Sequence, residues 1–441
     1  MSDSPAVSTG TSMVKEPPEQ RRTLAVLLLA QILSGAGLAA GITVGALLAE
    51  QMLGSSRFAG LPTVFFTIGS AAAAVGVGGV SQSLGRRAGL SAGYLTGALG
   101  SLGVVVAASF DNVVLLFASL LVYGAGVSTN LQARYAGADL AAPSRRGRAV
   151  SIVLVATAVG AIIGPNLVRV TGTLAAGFGI PALAGPFVLA AAAYASAGVV
   201  LWLLLRPDPL LLARSLAAAA SSQIGQATQE PSIATAASES RRRWSWAVAG
   251  GAGIMILTQL VMVAIMTMTP IHLEHHGHGI AITGVVISAH VAGMFLPSPF
   301  SGWLVDRFGY LLIAAAAGVI LLAAGLLAAW APVDSVGTLL LALVLLGLGW
   351  NLGLVSGTTL VTDAAPLDTR ARTQGVVDLG VALAGAGGGL SSGLIVAAGS
   401  YATLTLAGGI LALLIIPIAA IARRTRVEVG RNSLTKHGVT P

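Results

Sequence analysis

Long apolar runs separated by short polar breaks make up most of the chain, and each run reaches the roughly 20 residues needed to cross a bilayer as a helix. They predict spans near 23–48, 58–80, 89–109, 113–137, 149–171, 182–205, 245–269, 280–304, 310–331, 336–360, 374–397 and 402–422. Membrane β-strands would instead leave short alternating segments. Residues 206–243 interrupt the pattern with Arg, Ser, Gln, Glu and Pro and no sustained apolar period. They predict a cytoplasmic linker joining two halves. The expected organisation is a disordered tail over 1–22, a bundle over 23–206, a linker over 207–243, a bundle over 244–424 and a tail over 425–441. The fold class is therefore an all-α membrane protein with about twelve transmembrane helices in two pseudo-symmetric six-helix bundles.

Composition supports this. Of 441 residues 55% are hydrophobic and only 9% charged, with a mean hydropathy of +0.87, whereas soluble domains carry about a quarter charged residues. Soluble enzymes and nucleic-acid binders are excluded on that ground. The 57 glycines suit close helix packing in lipid. The net charge of +8 matters through its placement: Lys15, Arg21, Arg22, Arg86, Arg87, Arg145, Arg146, Arg148, Arg241 to Arg243, Arg307, Arg370, Arg372, Arg423 and Arg424 fall in the tails, the linker and alternate loops, with Arg57 the exception. By the positive-inside rule both termini are cytoplasmic. The chain has no cysteine, which removes disulfides and thiolate metal ligands. Its polar first 20 residues lack the order of a cleaved signal.

An internal repeat divides the chain at the linker. Gly78, Gln82 and Gly85 recur as Gly302, Asp306 and Gly309, and Asp139, Arg146 and Arg148 recur as Asp363, Arg370 and Arg372, every pair 224 positions apart. A single offset shared by two distant loops indicates a duplicated six-helix unit in parallel orientation. Within these loops Asp306 is placed to accept hydrogen bonds from helix N-terminal amides, and Arg307 to pair with a neighbouring acid. The glutamine at position 82 leaves the equivalent lock in the first half in doubt.

The stretch Gly302-Trp-Leu-Val-Asp306-Arg307-Phe-Gly309 resembles the loop signature of the major facilitator superfamily, with Gly78 to Arg87 as a weaker first copy. The run Gly160-Ala-Ile-Ile-Gly164-Pro165 is similar to that superfamily's fifth-helix signature. The resemblance implies two bundles rocking about a central site near the bilayer midplane. It also casts Arg86, Arg87, Asp139, Arg146, Asp306, Arg307, Gly309, Asp363 and Arg370 as gate-loop residues.

Five of six histidines and five of eight methionines lie between Met255 and Met294. Met262 and Met266 on the seventh predicted helix, and His290 and Met294 on the eighth, repeat a spacing of four, which leaves each pair about 40° apart on one face. Thioethers favour Cu(I), and imidazole accepts copper and several other ions. The loop between carries His272, His275, His276 and His278, candidates for collecting metal at the outer surface. The Met-x3-Met and His-x3-Met pairs resemble those of the CcoA-like transporters, a branch that includes bacterial copper importers. That resemblance implies Met262, Met266, His290 and Met294 as the copper-binding set in the cytoplasmic membrane of a bacterium. A related branch is linked to riboflavin uptake. Copper is then the transported substrate, with no tightly bound organic cofactor. The lipid bilayer is the other partner, and the chain acts as a monomer.

Asp378, just inside the eleventh predicted helix, is a candidate proton carrier; its alternative is a salt-bridge or helix-end role, with Arg134 as partner. Gln31, Asn130, Asn166 and Asn351 are candidates for lining the cavity. No phosphate-binding glycine loop, Ser/His/Asp set or metal-hydrolase spacing appears, so no enzyme activity is expected. The competing readings are a carrier of a small organic molecule, by flavin uptake or drug export, and a non-transporting receptor or scaffold.

Overall fold

The computed structural model describes residues 16–54, 61–225, 234–278, 280–332 and 335–422, with the side chains of 38–43, 46, 161–166, 223–225, 234–245 and 280–281 left out. The predicted tails up to 15 and from 423, with Arg57, and the side chains of Arg241 to Arg243, Gly164 to Asn166, lie outside the described residues. Every described element is helical. The first half holds α1 (Glu19–Leu53), α2 (Leu61–Leu84), α3 (Arg86–Ser109), α4 (Val113–Ala138), α5 (Arg146–Asn166), α6 (Val168–Gly177) and α7 (Gly185–Leu204). The second holds α9 (Ala234–His275), α10 (Ile280–Phe295), α11 (Ser298–Phe308), α12 (Tyr310–Ala329), α13 (Val336–Ala364), α14 (Arg370–Ala398) and α15 (Tyr401–Ala412). Among the described residues ten segments are long and apolar enough to cross a membrane, and α1 and the α5–α6 pair occupy the first and fifth predicted positions.

Local chemistry sets the ends and breaks. Side-chain oxygens of Asn112, Ser335 and Ser400 accept from the amides of Leu115, Thr338 and Thr403 and cap α4, α13 and α15. Proline breaks the spans that the apolar pattern makes continuous. Pro297 and Pro299 lie at the division of the eighth span into α10 and α11, and Pro417 lies just beyond α15. The polar linker is not wholly irregular: it contains α8 (Pro209–Gly225), and α9 starts eleven residues before the predicted 245.

Two apolar cores follow the repeat. One joins α1 to α7, from Val26 to Leu205. The other joins α9 to α15 and takes in Ala138, Val150, Leu154 and Ala158 across the seam. Large side chains such as Leu99, Val114, Phe178 and Leu394 are exposed, as lipid-facing surface requires. The halves meet where α2 crosses α14 and where α5 crosses α11, two equivalent contacts under the repeat. Gly78 packs against Ala371 and Gly375 in one, and Gly302 against Gly147 and Ser151 in the other. Both seams lie at the end of the molecule that carries the linker, called here the linker end. The molecule is closed at its linker end.

Candidate functional site

The gate residues build the closed end from two symmetric sets of contacts. Asp306, at the end of α11, accepts from the amides of Gly147 at 2.8 Å and Arg148 at 3.1 Å, at the first turn of α5 in the other half. Gln82, its repeat partner on α2, accepts from the amides of Ala371 at 2.7 Å and Arg372 at 3.3 Å, on the first turn of α14. The residues capped are themselves 224 positions apart. The glutamine thus caps with its amide oxygen while its Nε2 donates to the carbonyls of Leu367 and Asp368, so the lock survives loss of the acid. Gly85 and Gly309 follow these capping turns with φ of +93° and +85°, a backbone that side chains disfavour.

Ion pairs repeat the pattern. Arg146 pairs with Asp363 and Arg370 with Asp139 at 3.8 Å, so each half sends an arginine to the other's acid. Arg86 adds a bond to Asp139 at 2.8 Å, with both side chains fully buried, and donates to Gln374 across the seam. Two predicted gate residues do otherwise. Arg87 donates its amide to Asp208 and lays its guanidinium 4.7 Å from the Trp202 ring, anchoring the linker and not the opposite half. Arg307 is exposed and forms no ion pair among the described residues. Asp306→Asn, which keeps one acceptor oxygen as Gln82 does, should lose less stability than Asp306→Ala, which should lose about 1 kcal/mol of capping. Calorimetry in detergent micelles checks the pair, and equal losses would contradict the capping role.

One layer deeper, Asp378 of α14 meets Arg134 of α4. The guanidinium donates to Asp378 Oδ1 at 2.6 Å and to the Thr358 hydroxyl of α13 at 3.0 Å, and Tyr135 donates to the same carboxylate oxygen at 3.1 Å. Both charged side chains are buried, and Asp378 Oδ2 has no partner among the described residues.

The methionine and histidine pairs lie higher. α10 packs chiefly on α13, α9 packs on both α13 and α14, and the two touch little, contrary to the hairpin contact expected from their short connection. His290 is buried, and its Nδ1 lies 2.8 Å from the Leu343 carbonyl of α13. A carbonyl only accepts, so Nδ1 carries the proton and Nε2 presents a lone pair, which has no partner among the described residues. Gly347 of α13 touches the backbone of His290 and Met294. Asn351 donates to the Met294 carbonyl at 2.7 Å and to Ser298 Oγ at 2.6 Å, bridging the α10–α11 break. On the other flank Gln259 accepts from the Trp350 indole at 2.7 Å and Gly357 packs on Met255, fixing α9 against α13. Met262 is buried in the core, and Met266 and Met294 are partly buried against it.

The predicted span ends put Met262 about 7 residues before one end and His290 about 10 after the next start, at similar depth, and the observed helix ends change this. α9 runs to His275 instead of 269. At 1.5 Å per residue Met266 lies about 14 Å from that end and His290 about 15 Å beyond the start of α10. Met262 and Met294 both lie about 20 Å along. The four side chains therefore fall on two levels, a Met/His level above a Met/Met level, where the sequence placed Met262 with His290.

Three of the four outer histidines gather at one recess, the His272 and His276 rings 4.3 Å apart. His272 stacks on Tyr401 with centroids 4.1 Å apart, and His276 Nδ1 bonds to the His272 carbonyl at 2.7 Å. His275 is exposed, while His278 lines a recess with His272, His276 and Ser335. Among the described residues no three His or acidic side chains form a metal-holding group. Packing of His272 on Tyr401 is the reason that the loop offers no ready cage.

The proposed cavity residues are interior ties. Gln31 bonds to Tyr94, Thr157 and the Asn130 carbonyl, and Asn130 donates to Ser34; all are buried. Sequence reasoning passed over Thr358 and Gln374, which complete the buried polar contacts. It also passed over Arg214 of α8, which donates to the carbonyls of both Gln82 and Leu367. Thr358 was accessible through the repeat, being the counterpart of Arg134 at the same offset; the other two carried no pattern.

Comparison with known proteins places this architecture. The chain is 53% identical over 417 residues to YdeG of Bacillus subtilis (strain 168), an uncharacterized MFS-type transporter, covering 93% of this chain and 95% of that one. It is 30% identical over 371 residues to the riboflavin transporter RfnT of Brucella anthropi, covering 81% and 85%. In structure it resembles the human organic anion transporter MFSD10, with a TM-score of 0.69 at 17% identity over 92% of this chain and 100% of that one. The family profile described as Major Facilitator Superfamily matches residues 27–287 and 251–440. With its two linked six-span halves and paired gate loops, the chain belongs to the Major Facilitator Superfamily.

Proposed function

We propose that the chain is a secondary-active transporter that imports copper across the cytoplasmic membrane by alternating access, with both termini inside. The observation that carries this reading is the His290 imidazole: buried, its Nδ1–H tied to a backbone carbonyl, its Nε2 lone pair unpartnered. Metal-bound histidines characteristically donate the second ring nitrogen in this way, which fixes the ring and raises its basicity. Met294 stands one turn below on the same helix, beside a proline break, and discontinuous helices are where carriers of this architecture form their sites. Copper would enter at the Met266–His290 level and pass to the Met262–Met294 level. Few soft ligands at each level suit exchange over retention.

Copper(I) uptake into proteoliposomes tests the proposal. His290→Ala and Met266→Ala should abolish uptake in protein that remains monodisperse, and Met268→Ala, on another face of α9, should leave it unchanged. Uptake at the parent rate in both of the first two would remove copper. A second reading, transport of a small organic molecule, is supported by the relative named for riboflavin. It predicts riboflavin uptake by the parent, unaffected by His290→Ala.

A further inference from the structure

We propose, resting on the copper reading above, that Trp350 is a third ligand of copper(I) at the Met262–Met294 level, its indole face supplying a cation–π contact beside the two thioethers. Three helices meet at this level. α9 and α10 carry the sulfurs but touch each other little, and α13 packs on both. A sulfur of α9 and a sulfur of α10 can therefore share one ion only beside α13, and the side chain that α13 places between them becomes part of the seat.

That side chain is Trp350. α9 ends and α13 begins at one end of the molecule, where His272 and His276 share a recess with Ser335 and Val336. At 1.5 Å per residue Trp350 lies about 21 Å along α13 from Val336, the depth that Met262 and Met294 reach on their own helices. Local register agrees. Gly353 and Gly357 of α13 pack on Thr258 and Met255 of α9, while Gly347 touches the backbone of Met294 and Asn351 donates to its carbonyl. Trp350 stands between those two faces. Its indole N–H donates at 2.7 Å to Gln259 of α9, about one turn from Met262. Its ring makes a T-shaped contact, centroids 5.7 Å apart, with Phe295 of α10, the neighbour of Met294. Helical side chains lean toward the N-terminus of their helix, which on α13 carries this ring toward Met262. The ring is buried.

Gln259 satisfies the polar edge of the indole, so the π face is what the side chain has left to offer. A cation at this depth needs it. α10 holds no acidic residue, and the nearest acids along α9 and α13 are Glu274 and Asp363, close to the helix ends. An ion between two neutral thioethers has no counter-charge, and a bare buried charge is strongly unfavourable. The negative face of an indole attracts a cation more strongly than the other aromatic rings do, and it brings no second charge to be buried. Two thioethers and an arene suit a soft monovalent ion; a divalent ion that prefers carboxylates finds none at this level. Trp350 thus sets the preference for copper(I), and as a weak third contact it leaves the ion free to move on.

Silver(I), a soft monovalent ion that stands in for copper(I) without its redox chemistry, tests the assignment on the purified full chain. Silver(I) added to the parent should perturb the near-ultraviolet indole band and quench emission, and both changes should vanish in Trp350→Phe, which keeps the other five tryptophans. Trp350→Leu should weaken silver(I) binding by roughly thirtyfold. Trp350→Phe, an arene with a weaker face, should weaken it by less, and it decides the matter where the leucine variant does not stay monodisperse. A monodisperse parent that binds no silver(I) would remove the copper reading and this ligand with it. A parent that binds silver(I) with no change in its indole spectrum would overturn the role of Trp350 alone. So would Trp350→Phe with the parent's affinity, or with the parent's spectral change, and the methionine and histidine ligands would then stand without it.

Discussion

Asp139→Asn is expected to cost about 3–5 kcal/mol of stability, the scale for removing one partner of a buried pair, and to shift the carrier away from its closed linker end. Asp139 holds Arg86 at 2.8 Å with neither side chain exposed, and it is also the acid that faces Arg370 at 3.8 Å. Neutralising it leaves two guanidiniums together. Arg86 retains only the Gln374 oxygen across the seam, and its Nη1 is already without a partner. Asparagine replaces a carboxylate oxygen by an NH₂ group, which can only point a further donor at them. Asp363→Asn provides the comparison. Its ion pair with Arg146 keeps 13–17% of each side chain exposed, so water reaches the pair and the cost should be smaller than at Asp139. Thermal unfolding of the two variants in the same detergent measures the difference. Equal midpoints would show that Asp139 is not the hub of the closed end.

That contrast between two repeat-related acids also marks how far the sequence could be read. The offset of 224 was visible because both halves solve the same problem at their loop ends: an acceptor on one helix must meet amide donors on another, and an arginine must meet an acid. Chemistry needed twice leaves a record twice. Gln82 was read as a defect because a sequence records charge before geometry, and an amide oxygen caps a helix about as well as a carboxylate. Contacts made once, between spans far apart in the chain, left no such record. Arg134 and Asp378 could be named as partners from their residue types. Their common bonding with Tyr135 and Thr358 depends on helix rotation, which apolar runs without a polar stripe do not fix. The expected contact between the seventh and eighth spans failed for another reason. A short connection keeps two helix ends together but says nothing about which other helices they pack on, and here α10 packs on α13 while α9 packs on both α13 and α14. The levels of Met262 and Met266 shifted because α9 continues through Pro270 to His275, and a proline in a buried helix is a weaker stop than the apolar pattern implied.

The same dependence on close packing makes Gly69→Ala the most damaging single methyl group that this chain could receive. A Cβ at position 69 would lie 1.7 Å from the Leu121 carbonyl oxygen, and from the other side a Cβ at Gly124 of α4 would lie 2.3 Å from the Phe66 carbonyl oxygen. These neighbours are backbone atoms, which cannot rotate aside, so α2 and α4 must separate along their length. The cost should reach or exceed the roughly 3 kcal/mol upper range of overpacking, and folded protein recovered by fluorescence-detected size exclusion should fall to near background. Gly76→Ala, with nothing within 4 Å of the new methyl group, should express as the parent does and calibrates the assay. Gly293 is the repeat partner of Gly69 and has more room, since its Cβ would meet the Val344 carbonyl at 2.7 Å. Alanine there should yield folded protein with α10 displaced from α13 by a few tenths of an ångström or more. Because Gly293 lies between His290 and Met294 on the face that packs on α13, the displacement should lengthen the His290–Leu343 bond first. The first half would thus lose its fold, and the second only the setting of its imidazole, from the same substitution at equivalent positions. Recovery of normal amounts of folded Gly69→Ala protein would mean that α2 and α4 are farther apart than these contacts require.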